Sequence, residues 1–415
     1  MPRRLPRQLW PLVCVAVQSS VAFAEALAPQ RYEPAVLPVL AGDTDVGFKF
    51  GGFLQLARFR DDVQPYGWRL QFVAAASVHD GATGTEYPYR EIQLRIDRPH
   101  AFVPPLRMVV QLIYFRTTNL GFYGVGNSTS AEPLWSGLPE GSDDYVRARH
   151  YYQFDGLLPQ VRATARYRLS EHVALMVETD AQWSEVGVYP GSLLEQSLRA
   201  SPLPLGEGGQ GRISAGFVFD SRDHETVPTV GQYHDLSVRC GAGARGGDGY
   251  CAANLTLRAY QRILGGRLSL AGRLLGDTIF GAAPLGELSR YGGVDSATGP
   301  AGSRGIRGVP QGRLAGKSKV VGNLELRAFF LPFSVGTQRF TVGSAAFVDV
   351  GRVWTGAWFS SGASDGPFRL HWGAGGGPRL RWGDSLVIRA DLAYAPLGAQ
   401  VNMVPGLYVE VEAVM

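Results

Sequence analysis

The chain has 415 residues, 54 of them glycine, and 11% of it is aromatic. Its formal net charge is +4, and removing Arg3, Arg4 and Arg7 takes it to +1, so the basic balance excludes an ordinary nucleic-acid binder. Lys49, Lys317 and Lys319 are the only lysines among 40 Lys and Arg residues, and the arginines are scattered through strand-like runs instead of forming patches.

Residues 1–7 form a basic n-region, an apolar run follows from Leu9 to Val17, and Ala22, Phe23 and Ala24 make an A-x-A cleavage site. This predicts a signal peptide over 1–24 and a mature chain from Glu25. The apolar run is too short for a membrane anchor, and Val13 is a poor residue to precede a lipidated Cys14. No other segment has 18 consecutive apolar residues, so a membrane protein of this sequence is not a helical one. Residues 25–415 carry no linker, repeat or composition break and are expected to form one domain.

Strand-like alternation recurs along that domain, punctuated by Gly, Pro, Asp and Ser. Sixteen strands are predicted, at 33–43, 46–59, 66–79, 87–98, 105–117, 159–169, 171–184, 210–222, 229–240, 251–263, 266–278, 317–331, 338–352, 367–380, 384–395 and 405–415. Successive side chains of a strand point to opposite faces. At 91–97, Ile92, Leu94 and Ile96 share one face and Glu91, Gln93, Arg95 and Asp97 the other. Ile213, Ala215, Phe217 and Phe219 likewise oppose Arg212, Ser214 and Asp220. Leu324, Leu326 and Phe330 oppose Asn323, Glu325 and Arg327, and Val348 and Val350 oppose Asp349. Leu386, Ile388 and Leu392 oppose Arg389 and Asp391, and Leu407 and Val409 oppose Tyr408 and Glu410. Short turns alternate with long connections at 118–158, 185–209, 241–250, 279–316 and 353–366. The fold predicted is all-β: a 16-stranded antiparallel transmembrane β-barrel, apolar outside and with a wet lumen. A soluble sandwich or propeller would need large apolar residues on the inward faces.

Several residues stand out for chemistry. Cys240 and Cys251 flank a Gly-rich loop, and a disulfide is favoured over two free thiols in an oxidising compartment. Residues 206–211 match G-x-G-x-x-G but open a strand, not a helix. Residues 362–366 match G-x-S-x-G in a loop with no helix after it, so a hydrolase elbow is not expected. The seven histidines lack ligand spacing, so no metal or other cofactor is expected and no catalytic residue is assigned. Arg307, between Gly305 and Gly308, precedes two strands with inward carboxylates, Glu325 and Asp349. A guanidinium taken into a lumen needs anionic partners, and its planar fork suits carboxylates. The segment 280–316 is therefore expected to fold inward and latch through Arg307.

These residues also carry a family resemblance. Ile306, Arg307, Gly308 and Val309 resemble the aliphatic-Arg-Gly-aromatic motif of the inward-folded sixth loop of the BamA/TamA-like outer-membrane assembly factors, the bacterial surface antigen family. Asn323, Glu325 and Arg327 resemble the family's N-x-E-x-R strand. Phe347, Asp349, Gly351, Val353 and Trp354 are similar to its F-x-D-x-G-x-V-W strand. Asp220, Arg222, Asp223, Pro228 and Gly231 look like its D-x-R-D segment, and residues 122–127 (Phe-Tyr-Gly-Val-Gly-Asn) resemble a further loop motif. Val309 and Met415 replace the family's usual aromatics. Only residues 25–32 precede the first predicted strand, too few for the POTRA modules that recruit substrates in the family. The resemblance implies a noncatalytic, integral protein of a Gram-negative outer membrane that assists insertion or translocation of proteins or lipids. Its partners would be membrane lipids and lipopolysaccharide, client outer-membrane or secreted proteins, or a periplasmic partner, and not nucleic acid. The rival readings are a passive porin and a structural surface antigen.

Overall fold

The computed structural model describes residues 30–43, 47–60, 63–82, 84–103, 105–129, 134–201, 203–225, 227–243, 249–266, 268–293, 297–336, 338–383, 386–396 and 406–413. The leader expected at 1–24 lies outside them.

One antiparallel sheet runs through the molecule as a meander. It opens with β1 (Gln30–Asp43), β2 (Gly47–Arg60) and β3 (Val63–Gly81). β4 (Gly84–Glu86) and β5 (Tyr89–Arg98) both pair with β3, and β5 then pairs with β6 (Leu106–Gly121). Beyond α1 (Asp143–Arg149), β7 (Gln153–Leu157) and β8 (Gln160–Arg168) both bridge β6 to β9 (Val173–Val188). After α2 (Leu193–Ala200) come β10 (Gly208–Asp220), β11 (Gly231–Gly243), β12 (Tyr250–Ile263) and β13 (Leu268–Gly281). A long connection holding α3 (Leu285–Ser289) and the ribbon β14 (Arg290–Tyr291) with β15 (Ala297–Thr298) follows. β16 (Ser318–Val335), β17 (Gln338–Trp354), β18 (His371–Trp382), β19 (Leu386–Tyr394) and β20 (Gly406–Ala413) complete the sheet.

Eighteen segments belong to this sheet among the described residues, where the sequence suggests sixteen strands. The two extra pieces arise at prolines. Pro88 separates β4 from β5 and Pro159 separates β7 from β8, and neither has an N–H for the ladder. Their carbonyls still accept from Thr118 N (2.9 Å) and Trp183 N (2.9 Å), so the neighbouring strands pass the breaks without gaps. The first and last strands meet at a single described pair, Asp43 with Tyr408.

Because the pairing is antiparallel throughout, the long connections after β6, β9, β13 and β17 all leave from the same end of the sheet. Helices in the long connections were not legible from strand periodicity. α1 and α2 are each started by a serine, Ser142 and Ser192, whose hydroxyl accepts a first-turn N–H.

Alternation sorts the two faces. Leu236, Val238, Leu255, Leu274, Leu324 and Val348 are exposed on the outer wall, while Asp97, Asp180, Arg239, Asp277 and Asp349 are buried inside. The interior is drier than a charged lining implies. Leu275, Val321 and Val353 point inward and pack against Tyr291, Ile306, Val309 and Leu314 of the long connection, forming an apolar core within the lumen.

Candidate lumenal latch

Residues 282–293 and 297–317 enter the lumen, and the second stretch tightens into a compact turn around Arg307. Ile306 N donates to Pro300 O (2.8 Å), Gly305 N to Gly302 O (3.1 Å) and Gly302 N to Val309 O (3.0 Å). Gly308 has φ +89°, and a Cβ there would lie 3.0 Å from Ala395, so only glycine carries the chain past the wall. Gly351 on β17 answers from the other side: a Cβ would stand 2.8 Å from Ile306 Cδ1.

Arg307 is buried, and its fork grips the barrel wall. Nε and Nη2 donate to Asp349 Oδ2 (2.7 Å) and Oδ1 (3.0 Å), and its backbone N–H adds a third bond to Oδ2 (3.1 Å). Nη1 donates to Glu325 Oε2 and to Asp391 Oδ2, each at 3.0 Å. The guanidinium carbon lies 3.3 Å from the Phe347 ring centroid, a cation–π contact. Burial disfavours its charge, but the Asp349 hydrogen bonds and the charges of Glu325 and Asp391 outweigh this and raise its pKa.

The carboxylates are themselves held. Asn323 Nδ2 donates to Asp349 Oδ1 (2.7 Å) and to Gly305 O (2.8 Å), tying wall and loop together. Arg327 donates to Glu325 (2.8 Å), Arg379 to Asp391 (2.6 Å) and Arg389 to Glu410 (2.6 Å). Arg389 also donates to Ser303 O (3.0 Å), and Gly308 N donates to the Tyr408 hydroxyl (3.0 Å). The turn thus touches β16, β17, β19 and β20. Asp391 and Tyr408 belong to this site although the sequence pointed only to Glu325 and Asp349. Their signal was their inward parity with Arg389 and Glu410.

The opposite end of the connection carries a second anchor. Glu287 of α3 accepts from Arg212 on β10 (2.7 Å) and Arg239 on β11 (3.2 Å), and pairs with Arg290 (2.8 Å). Arg239 is also bidentate to Asp277 (2.6 and 3.0 Å). Burial opposes the Glu287 charge, yet Arg290, Arg212 and Arg239 pull its pKa down to about 2. A lone glutamate in a long loop carries no periodic signal, so only the fold reveals it.

A third contact comes from residues 122–127. Gly126 N donates to Ala315 O (2.8 Å), and Asn127 accepts from Val353 N (3.2 Å) and donates to Arg369 O (3.0 Å). The loop motif therefore fastens the connection's C-terminal end to β17.

A model of the Omp85 superfamily domain matches residues 83–403. The chain belongs to the Omp85 superfamily. Two solved structures share its fold: BamA from Haemophilus ducreyi lacking POTRA domains 1–3, and CdiB from Escherichia coli. The first is 14% identical, with a TM-score of 0.52 over 92% of this chain and 70% of that one. The second is 11% identical, with a TM-score of 0.54 over 92% of this chain and 67% of that one. No curated protein matches the chain.

The remaining residues singled out in this Omp85 barrel lie away from the latch. Arg222 is bidentate to Asp220 (2.9 Å to each oxygen) and rests on the Tyr233 ring. Asp223 accepts from Thr229 N (2.8 Å), Val230 N (3.1 Å) and Arg262 (3.0 Å), so this motif pins the β10–β11 turn at the short-turn end. Cys240 and Cys251 are cross-strand partners joined by a disulfide near the long-loop end. In the G-x-S-x-G segment, Asp365 ties its own loop by accepting from Gly362 N (2.8 Å) and Thr355 N (3.0 Å), and no helix follows. Among the described residues no group of His, Cys, Asp and Glu could hold a metal ion.

Proposed function

We propose that this Omp85 protein is an integral, noncatalytic barrel of a Gram-negative outer membrane that assists insertion or translocation of client proteins or lipids. The connection between β13 and β16, expected from the sequence to fold inward over 280–316, serves as a lumenal plug, and the seam between β1 and β20 serves as the opening. The observation that carries this reading is the reach of the Arg307 turn. It is bonded to strands of one wall and, through Gly308 and Tyr408, to the strand that forms the seam. The seam itself rests on one described residue pair, and β1 carries Pro34 and Pro38, which cannot donate to a ladder. A shift of the plug would thereby be felt at the seam. Partners in this reading are membrane lipids, including lipopolysaccharide, client outer-membrane or secreted proteins, and a periplasmic partner.

Depletion followed by profiling of outer-membrane proteins tests the role: a defined set of clients should fall, and an unchanged profile would defeat the proposal. A filled lumen also separates it from a porin. Planar-bilayer recordings should give small, erratic openings, whereas large steady conductance would favour the porin.

A further inference from the structure

The connection between β17 and β18, residues 355–370, does not stand off the barrel end as a polar loop would. Its two flanks fold back over the outer wall, while Ser364 and Asp365 between them bond to Asn127 and Ser128. Thr278, Ser318 and Trp354 form one cross-strand row on β13, β16 and β17, on the same outer face as the exposed Leu274, Leu324 and Val348. Thr278 and Ser318 are nevertheless buried, because the turn at 356–360 sits on them. Trp358 N donates to Thr278 Oγ1 (3.0 Å), Phe359 N donates to Ser318 Oγ (3.1 Å), and Ser318 Oγ donates to Gly356 O (2.8 Å). Arg352, next on the outer face of β17, is only 2% exposed. Its guanidinium lies between the rings of Trp354 (5.2 Å) and Phe368 (4.6 Å), with the carbonyls of Pro367 and Arg369 at 3.5 Å. The connection thus hides two hydroxyls and a cation that would otherwise face outward.

The cover then presents bulky rings of its own. Trp358 is 72% exposed and Phe368 76%. Trp358 and Phe359 hold φ of 51° and 59°, a region bulky side chains rarely occupy, so the turn keeps its shape against local preference. Irregular backbone beside lipid must have its N–H groups satisfied by protein, and the Thr278 and Ser318 hydroxyls do this. Trp favours the membrane–water interface, where its amphipathic ring sits at headgroup level. The surface of these rings continues the apolar outer face formed by Val348, Val350 and Leu324.

We propose that residues 355–370 form an interfacial flap whose occupant is lipid of the leaflet at the long-loop end, with Trp358 and Phe368 seated at the headgroup–acyl boundary. This rests on the membrane-barrel reading above, and Trp183 on β9, outward and half exposed, provides the reference. The full chain is reconstituted in phosphatidylcholine vesicles whose acyl chains are brominated at shallow or deep positions. Tryptophan quenching is compared among wild type, Trp358→Phe and Trp183→Phe, each checked for folding by heat-modifiable gel migration. Trp358→Phe should remove a component quenched most by shallow bromines and shielded from aqueous iodide. A Trp358 component quenched by iodide and not by bromine would overturn the flap as a solvated loop. One shielded from both would overturn it in favour of burial against a second copy of the chain. If Trp183→Phe also removes no bromine-quenched component, the membrane reading itself fails. If only Trp358 escapes bromine, the flap alone fails.

Discussion

Arg307 satisfies three carboxylates and stacks on Phe347, a geometry that depends on a planar fork. Removing one partner of a buried charged cluster costs about 3–5 kcal/mol when the others are left uncompensated. Arg307→Ala should therefore lower the temperature at which the folded gel band is lost, and Arg307→Lys should restore only part, because an ammonium cannot bridge in the same way. Equal thermal migration of Arg307→Ala and wild type would remove the latch from the account. Glu287 gives a pH test. Its pKa falls from an ordinary 4.5 to about 2 on folding, so its contribution is fully present above 4.5 and is lost as pH drops toward 2. Glu287→Gln should lower stability at neutral pH and shrink the acid-induced loss in that window. An acid limb identical to wild type in denaturation curves would count against the anchor.

At the scale of the element, the lumenal connection is held at both ends by opposite charges. Arg307 meets carboxylates on β16, β17 and β19, and Glu287 meets arginines on β10 and β11. Loss of one anchor should loosen its own half of the connection first. Limited proteolysis of Arg307→Ala should expose sites around 300–312 before sites around α3, and Glu287→Gln should reverse the order. Simultaneous cleavage of both halves in either variant would show that the anchors are not independent. Gly351→Val offers a steric route to the same end, since a side chain there displaces Ile306. The disulfide is a separate feature on the β11–β12 hairpin. Thiol reagents applied to intact cells should label Cys240 and Cys251 only after reduction, and ready labelling without reductant would contradict an oxidised, accessible bridge.

At the scale of the molecule, strand backbone groups are paired with neighbouring strands around the sheet, so detergent alone should not unfold it. The protein is expected to migrate faster unboiled than boiled, and identical mobilities would speak against a detergent-resistant barrel. The seam is the weakest join among the described residues. A cysteine pair spanning it, placed on neighbouring residues of β1 and β20 away from Tyr408, should block client assembly in oxidised cells and release it on reduction. Full activity with the seam covalently closed would rule out lateral opening.

Alternation by itself determined most of the strands and their facing, because side-chain parity in a strand is a local property of two residues. Ile92 and Asp97, or Val348 and Asp349, sort to opposite walls with no knowledge of the rest of the chain. The motif around Arg307 and the inward parity of Glu325 and Asp349 placed half of the latch for the same reason. What only the tertiary structure decided was the content of the lumen and the course of the long connections. Asp391 joins Arg307 because β19 stands next but one to β17, with only β18 between them, on the stretch of wall that the folded loop meets. Glu287 finds Arg212 and Arg239 because the connection spans the interior. The connection read from the sequence as a long loop at 353–366 covers Arg352, Thr278 and Ser318 on the outer wall, because their side chains supply bonds that its irregular backbone and rings need. None of these contacts has a period, since each joins residues far apart in the chain, and a pattern that lives within a strand cannot report them.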